Sequence, residues 1–197
     1  MKRTKQLERT AHHEAGHVVA GWRMGEHSRA VSIIPAKDKR YLGYHQSPRY
    51  SKPRYNPSPH VRRRLENIAL VCLAGPAADR RFNPRGFRHY SGQRDRELAI
   101  DLLWHMSDTT EEADAYLRLV QVRASTLVEN DWRTIEHFAE ALLEKGTLMA
   151  EDIRETMISI YYRQLEEYSK EMKERNPHLR CISIEEIDDK IRSQITL

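Results

Sequence analysis

His13-Glu14-Ala15-Gly16-His17 places two imidazoles four residues apart, with a carboxylate directly after the first. On a helix that spacing puts both rings on one face, where they can converge on a single metal ion. H-E-x-x-H is the pattern of zinc proteases: the histidines ligate the ion, and the glutamate takes a proton from the water bound to it. The chain has 10 histidines, so a chance pairing or a purely structural zinc site is the competing reading. Catalytic zinc takes three protein ligands and keeps one position open. The long metzincin arrangement is excluded, because Ala20 and Arg23 stand where its glycine and third histidine would be. The third ligand must therefore come from farther along. Periodicity leaves Glu66, Asp79, Asp95, Glu97, Asp101 and His105 open. His12 falls one residue off the ligand face and reads as a neighbour.

Positioning two histidines on one face requires a helix. Ala11, Ala15, Val18, Val19, Ala20 and Trp22 give it an apolar side over Thr4–Met24, and Gly25 is a natural stop. Ala30-Val31-Ser32-Ile33-Ile34-Pro35 and Tyr41-Leu42-Gly43-Tyr44-His45, either side of a charged turn, predict a β-hairpin. Residues 47–59 hold four prolines and predict a loop. Ser58-Pro59 caps a second helix through Ala78, with Val61, Leu65, Ile68 and Cys72 inward. Ser91 caps a third, with Leu98, Leu102 and Leu103 facing in. Asp108 with Glu111 predicts the cap of a fourth, whose stripe is Ala113, Leu117, Val120, Ala124 and Leu127. Asn130 caps a fifth, built on Trp132, Ile135, Phe138, Ala139 and Leu142 and stopped at Gly146. A sixth spans about Met149–Arg175, with Ile153, Met157, Ile160 and Tyr161 inward, and Ser183 with Glu186 caps a last short helix. The expectation is a mainly α fold with one small hairpin.

At 197 residues the chain suits one well-cored domain. Charged residues at 31% against 39% hydrophobic make it polar, yet not polar enough to predict global disorder. Cys72 and Cys181 stand far apart and read as free thiols in a reducing compartment. No apolar run approaches a membrane span, so a soluble, cytoplasmic protein with no membrane partner is expected.

Beyond the pentapeptide, the sequence resembles the peptidase domain of the FtsH-type ATP-dependent zinc metalloproteases. Val31-Ser32-Ile33-Ile34-Pro35 followed by Leu42-Gly43-Tyr44 is similar to that family's hairpin. Leu73-Ala74-Gly75-Pro76-Ala77-Ala78-Asp79 resembles its A-G-R-A-A-E segment, with Pro76 in place of arginine and Asp79 in place of glutamate. Ser91-Gly92-Gln93-Arg94-Asp95 resembles S/T-G-A-x-x-D, and Ala139–Leu148 resembles A-x-x-L-L-E-x-x-T-L. With His13–His17 these segments keep the family's order across residues 5–158.

The resemblance implies a helical peptidase domain over residues 1–160, with 161–197 a helical extension of it. It implies one zinc ion per chain on His13, His17 and Asp95, Glu14 as catalytic base, and Asp79 orienting a ligand. The unpaired edge of the hairpin would take an extended polypeptide substrate along Tyr41, Leu42, Gly43 and Tyr44, with Gly43 allowing close backbone approach, and the resemblance implies assembly into a hexamer. No G-x-x-x-x-G-K-[ST] occurs, so cleavage of unfolded chains, or cooperation with a separate unfoldase, is expected. A soluble protease cutting one regulatory partner is a narrower version of the same reading. A different class of function comes from residues 37–64, where nine Lys or Arg accompany one Asp. Arg49, Lys52, Arg54, Arg62, Arg63 and Arg64, interleaved with Tyr50 and Tyr55, could meet nucleic-acid phosphates. A solvated face is the favoured reading of that segment, because the net charge of the chain is only +4. A non-catalytic, zinc-containing interaction protein is the resulting alternative.

Overall fold

The computed structural model describes residues 3–34, 43–46, 58–86 and 92–176. Among them the chain forms six helices and one three-stranded antiparallel sheet: α1 (Lys5–Met24), β1 (Ala30–Ser32), β2 (Tyr44–Gln46), α2 (Pro59–Phe82), α3 (Gln93–Trp104), α4 (Thr110–Asn130), α5 (Trp132–Lys145), β3 (Thr147–Met149) and α6 (Ala150–Arg175). No described helix is long and apolar enough to cross a membrane. The turn expected at 37–40, the loop at 47–57, the Ser91 cap, Cys181 and the last helix lie outside the described residues. Contacts divide the chain into two compact units, Met1–Ile153 and Arg154–Leu197. The boundary expected at 160/161 falls within α6, seven residues beyond that division.

In the first unit α1, α4 and α3 all pack on α2, and α5 packs on α1. Thr4 caps α1 by accepting from the Leu7 amide, and Gly25 ends it in left-handed backbone that costs glycine nothing. Residues from Thr10 to Gly21 are buried except His13, so α1 is the central helix. It approaches α2 closely: a Cβ on Gly16 would stand 2.8 Å from both the Ala74 carbonyl oxygen and the Ala78 Cβ. The run of small residues in α2 is therefore the trough that receives α1.

The expected hairpin is present as β1 against β2, in register Ala30↔Gln46, Val31↔His45 and Ser32↔Tyr44. It gains a third strand, Thr147–Met149, where the sequence predicts only the gap after Gly146 and, at Met149, the start of the sixth helix. β3 pairs with the other edge of β1, so the sheet order is β2-β1-β3, with β2 at an edge.

Four sequence expectations are corrected. α2 continues to Phe82, one turn past Ala78. The cap of α4 is Thr109, whose side chain accepts from the Glu112 amide, while the Glu112 carboxylate accepts from the Asp108 amide. Asp108 and Glu111 are each one residue out of that phase. Asn130 closes α4, and Asp131 begins α5 without a side-chain cap because Arg23 takes its carboxylate. Tyr161 is 62% exposed, not inward, whereas Ile153, Met157 and Ile160 are buried. The second unit is described through the α6 residues from Arg154 onward, a charge-rich helix with Ile158 and Tyr168 also exposed.

Candidate metal centre

His13 and His17 lie on the face of α1 that meets α2 and the start of α3. Their Nε2 atoms are 3.1 Å apart, and Asp95 Oδ2 stands 3.2 Å from the first and 3.6 Å from the second. The other nitrogen of each ring decides what converges there. His17 Nδ1 is 2.8 Å from the Val71 carbonyl oxygen, and His13 Nδ1 is 3.3 Å from Asp79 Oδ2. Both partners only accept, so each Nδ1 carries a hydrogen, and each ring in its neutral form presents the Nε2 lone pair. Two imidazole nitrogens and a carboxylate oxygen thus face one point, an arrangement that needs positive charge between them, either a ring proton or a metal ion. His13, His17 and Asp95 form a cluster able to hold a metal ion.

Protonation behaviour has the same origin. Burial works to lower the His13 pKa, but its hydrogen bonds to the Asp79 and Asp95 carboxylates outweigh it and raise the imidazole to about 10. His17 is also raised: burial opposes the charge, and the Asp95 carboxylate overcomes it. Asp95 and Asp79 are both held below the usual carboxylate range by the histidines despite burial, Asp79 with Arg9 as well. The pocket is built to stabilise positive charge.

Asp79 is 3% exposed and receives two bonds from Arg9, Nε to Oδ1 at 3.2 Å and Nη2 to Oδ2 at 3.0 Å. Aspartate reaches His13 here despite being one methylene shorter than the glutamate of the resembled family. Asp95 occupies the first turn of α3, where a carboxylate faces the positive helix end. That turn leans on α2, because a Cβ on Gly92 would run into the Pro76 ring. The Gly75 backbone passes close to the cluster: a Cβ there would collide with His17 Nε2 and lie 2.9 Å from His13 Nε2.

Glu14 is 6% exposed, and burial raises its pKa, partly offset by the two histidines. Gly43 lies directly over it, so near that an added Cβ would stand 2.8 Å from Glu14 Oε1. Tyr44 follows on β2 and is exposed, while Tyr41 and Leu42 lie outside the described residues.

Of the other ligand candidates, Glu66 bonds Tyr116 and Arg123, and Glu97 accepts from Gln93. Asp101 and His105 do not belong to the cluster. His12 stacks between Phe82 at 4.1 Å and Trp132 at 5.5 Å, a packing role. In the basic segment, Arg62 donates to the Met106 carbonyl and Arg64 to Glu26, so two of its arginines serve internal contacts.

The Val71 carbonyl and Arg9 carry no sequence signal for the site, and His45, expected at the end of the substrate-edge strand, instead stacks its ring on His17. The small-residue run Ala74–Ala78 was the available signal for a close crossing at Gly75. Nothing local marks His45. No protein-family model matches the chain, and a search of curated proteins finds no match.

Proposed function

We propose that the chain is a zinc-dependent endopeptidase that hydrolyses peptide bonds in unfolded or flexible polypeptides. One observation carries this reading: three lone-pair donors converge beside a buried glutamate that lies beneath an edge strand. Zinc is the metal the donor set favours. Two imidazoles and one carboxylate are a catalytic zinc set, and bonds of 2.0–2.2 Å in a tetrahedron place donors about 3.3–3.6 Å apart. Of the three separations here, 3.6 Å falls at the top of that range and 3.1 and 3.2 Å fall just below it. When bound, zinc supplies Lewis acidity toward a carbonyl and brings the pKa of water toward neutrality.

The rest is the work of the chain's own residues. Glu14 accepts a proton from the attacking water and delivers it to the leaving amine, a role its raised pKa suits. Asp79 and Val71 hold the histidine rings in the ligating tautomer. β2 offers main-chain groups to an extended peptide, and Gly43 lets that backbone come close to Glu14.

The test is metal content of protein purified without added zinc, beside cleavage of an unfolded polypeptide by wild type and Glu14→Gln. About one zinc per chain, with cleavage lost in the variant, supports the peptidase. Zinc without cleavage in either protein overturns it in favour of the non-catalytic zinc protein. Absence of zinc overturns the metal centre.

A further inference from the structure

His45 lies on β2 opposite Val31, on the sheet face that also carries buried Leu148. Its ring stacks on His17 with centroids 5.3 Å apart and planes within 15°. Its Nε2 is 2.6 Å from the hydroxyl of Ser28, a buried residue in the loop joining α1 to β1. That loop is itself fastened to β2, since the Arg29 amide donates to the Gln46 carbonyl at 2.9 Å.

A metal-ligating imidazole must keep both its tautomer and its ring plane. The Val71 carbonyl sets the tautomer of His17, but one hydrogen bond leaves the ring free to rock about the Nδ1···O line. A flat neighbour parallel to the ring removes that freedom. We infer that His45, tethered by Ser28 and stacked on His17, is a positioning residue that fixes the plane of this ligand. The inference rests on the metal centre proposed above and adds the sheet to its support. It also couples the two halves of the site, because the strand proposed to receive substrate is the strand that steadies the metal ligand.

His45 is not itself in the ligand cluster, whose atoms come from His13, His17 and Asp95. An aromatic ring without nitrogens keeps the stack on His17 while losing the Ser28 tether, and should therefore serve in its place in part. The experiment compares wild type, His45→Ala and His45→Phe as full chains. It reads zinc affinity by chelator competition, the visible spectrum of the cobalt(II) forms, and melting of the metal-free proteins. His45→Ala is expected to bind zinc about ten-fold more weakly and to shift the cobalt bands. His45→Phe is expected to restore both toward wild type. Unchanged affinity and spectrum in His45→Ala overturn the assignment, as does a phenylalanine variant as impaired as alanine while its metal-free form melts like wild type. A wild type that binds no zinc sinks the metal centre itself, and this inference with it.

Discussion

Glu14 and Asp79 are both buried carboxylates beside His13, yet their surroundings drive them in opposite directions. Asp79 is stabilised as an anion by His13 and Arg9, whereas burial outweighs the histidines at Glu14 and raises its pKa. The first therefore suits holding a ring and the second suits moving a proton. Glu14→Gln is expected to keep its zinc and lose about 10²–10⁴-fold in cleavage rate, read by metal analysis and peptide hydrolysis. Asp79→Asn is expected to weaken zinc by about 10–100-fold, read by chelator competition. The pH dependence follows from His13, raised from its ordinary 6.5 to about 10. Its protonated form stabilises the metal-free fold, a contribution complete below pH 6.5 and lost as pH climbs through 10. Zinc needs the ring deprotonated, so its affinity rises across that interval. Melting in chelator should fall from pH 6.5 to 10 while zinc binding tightens. A metal-free melting temperature that rises with pH would contradict the assignment.

At the scale of elements, the site depends on how closely α2 can pass under α1. Gly75 occupies a helix interior, where alanine is ordinarily favoured by about 1 kcal/mol. Here a Cβ would meet both ligating rings. Gly75→Ala is thus expected to cost zinc affinity at least ten-fold, on the scale of a displaced ligand, even where helix content by circular dichroism is unchanged. Equal zinc affinity in wild type and variant would show that the crossing has slack. The same element shows what was legible in the sequence. The Ser58 cap, stops such as Gly25 and Gly146, and the two-histidine face are local features, and the structure has them. The third strand is three residues between a glycine stop and a helix, and only its pairing with β1, more than a hundred residues earlier, makes it a strand. Arg23 removing Asp131 from its cap is another long-range effect. Asp95 was one acid among several by periodicity and stood out only through the resemblance. Its proximity to His13 is a tertiary fact.

At the scale of the molecule, a bound metal would do more than equip a site. Its ligands come from α1 and from α3, 82 residues later, and these helices otherwise meet through α2, on which both pack. A zinc ion would join them directly, closing a loop that the metal-free chain holds by packing and by the His13–Asp95 ion pair. Because the ligand set is scattered in the unfolded chain, binding free energy becomes folding free energy. Free zinc at a hundred times its dissociation constant adds about 2.7 kcal/mol to stability. In a domain of this size that raises the melting temperature by roughly 5–11 °C. The shift should vanish in Asp95→Ala and reverse with chelator. Amides at the start of α3 should also gain hydrogen-exchange protection with zinc, because Asp95 ties that turn to α1. If zinc moved neither the melting temperature nor exchange in α3, the three donors would be an ordinary buried ion-pair cluster, and the peptidase reading would lose its foundation.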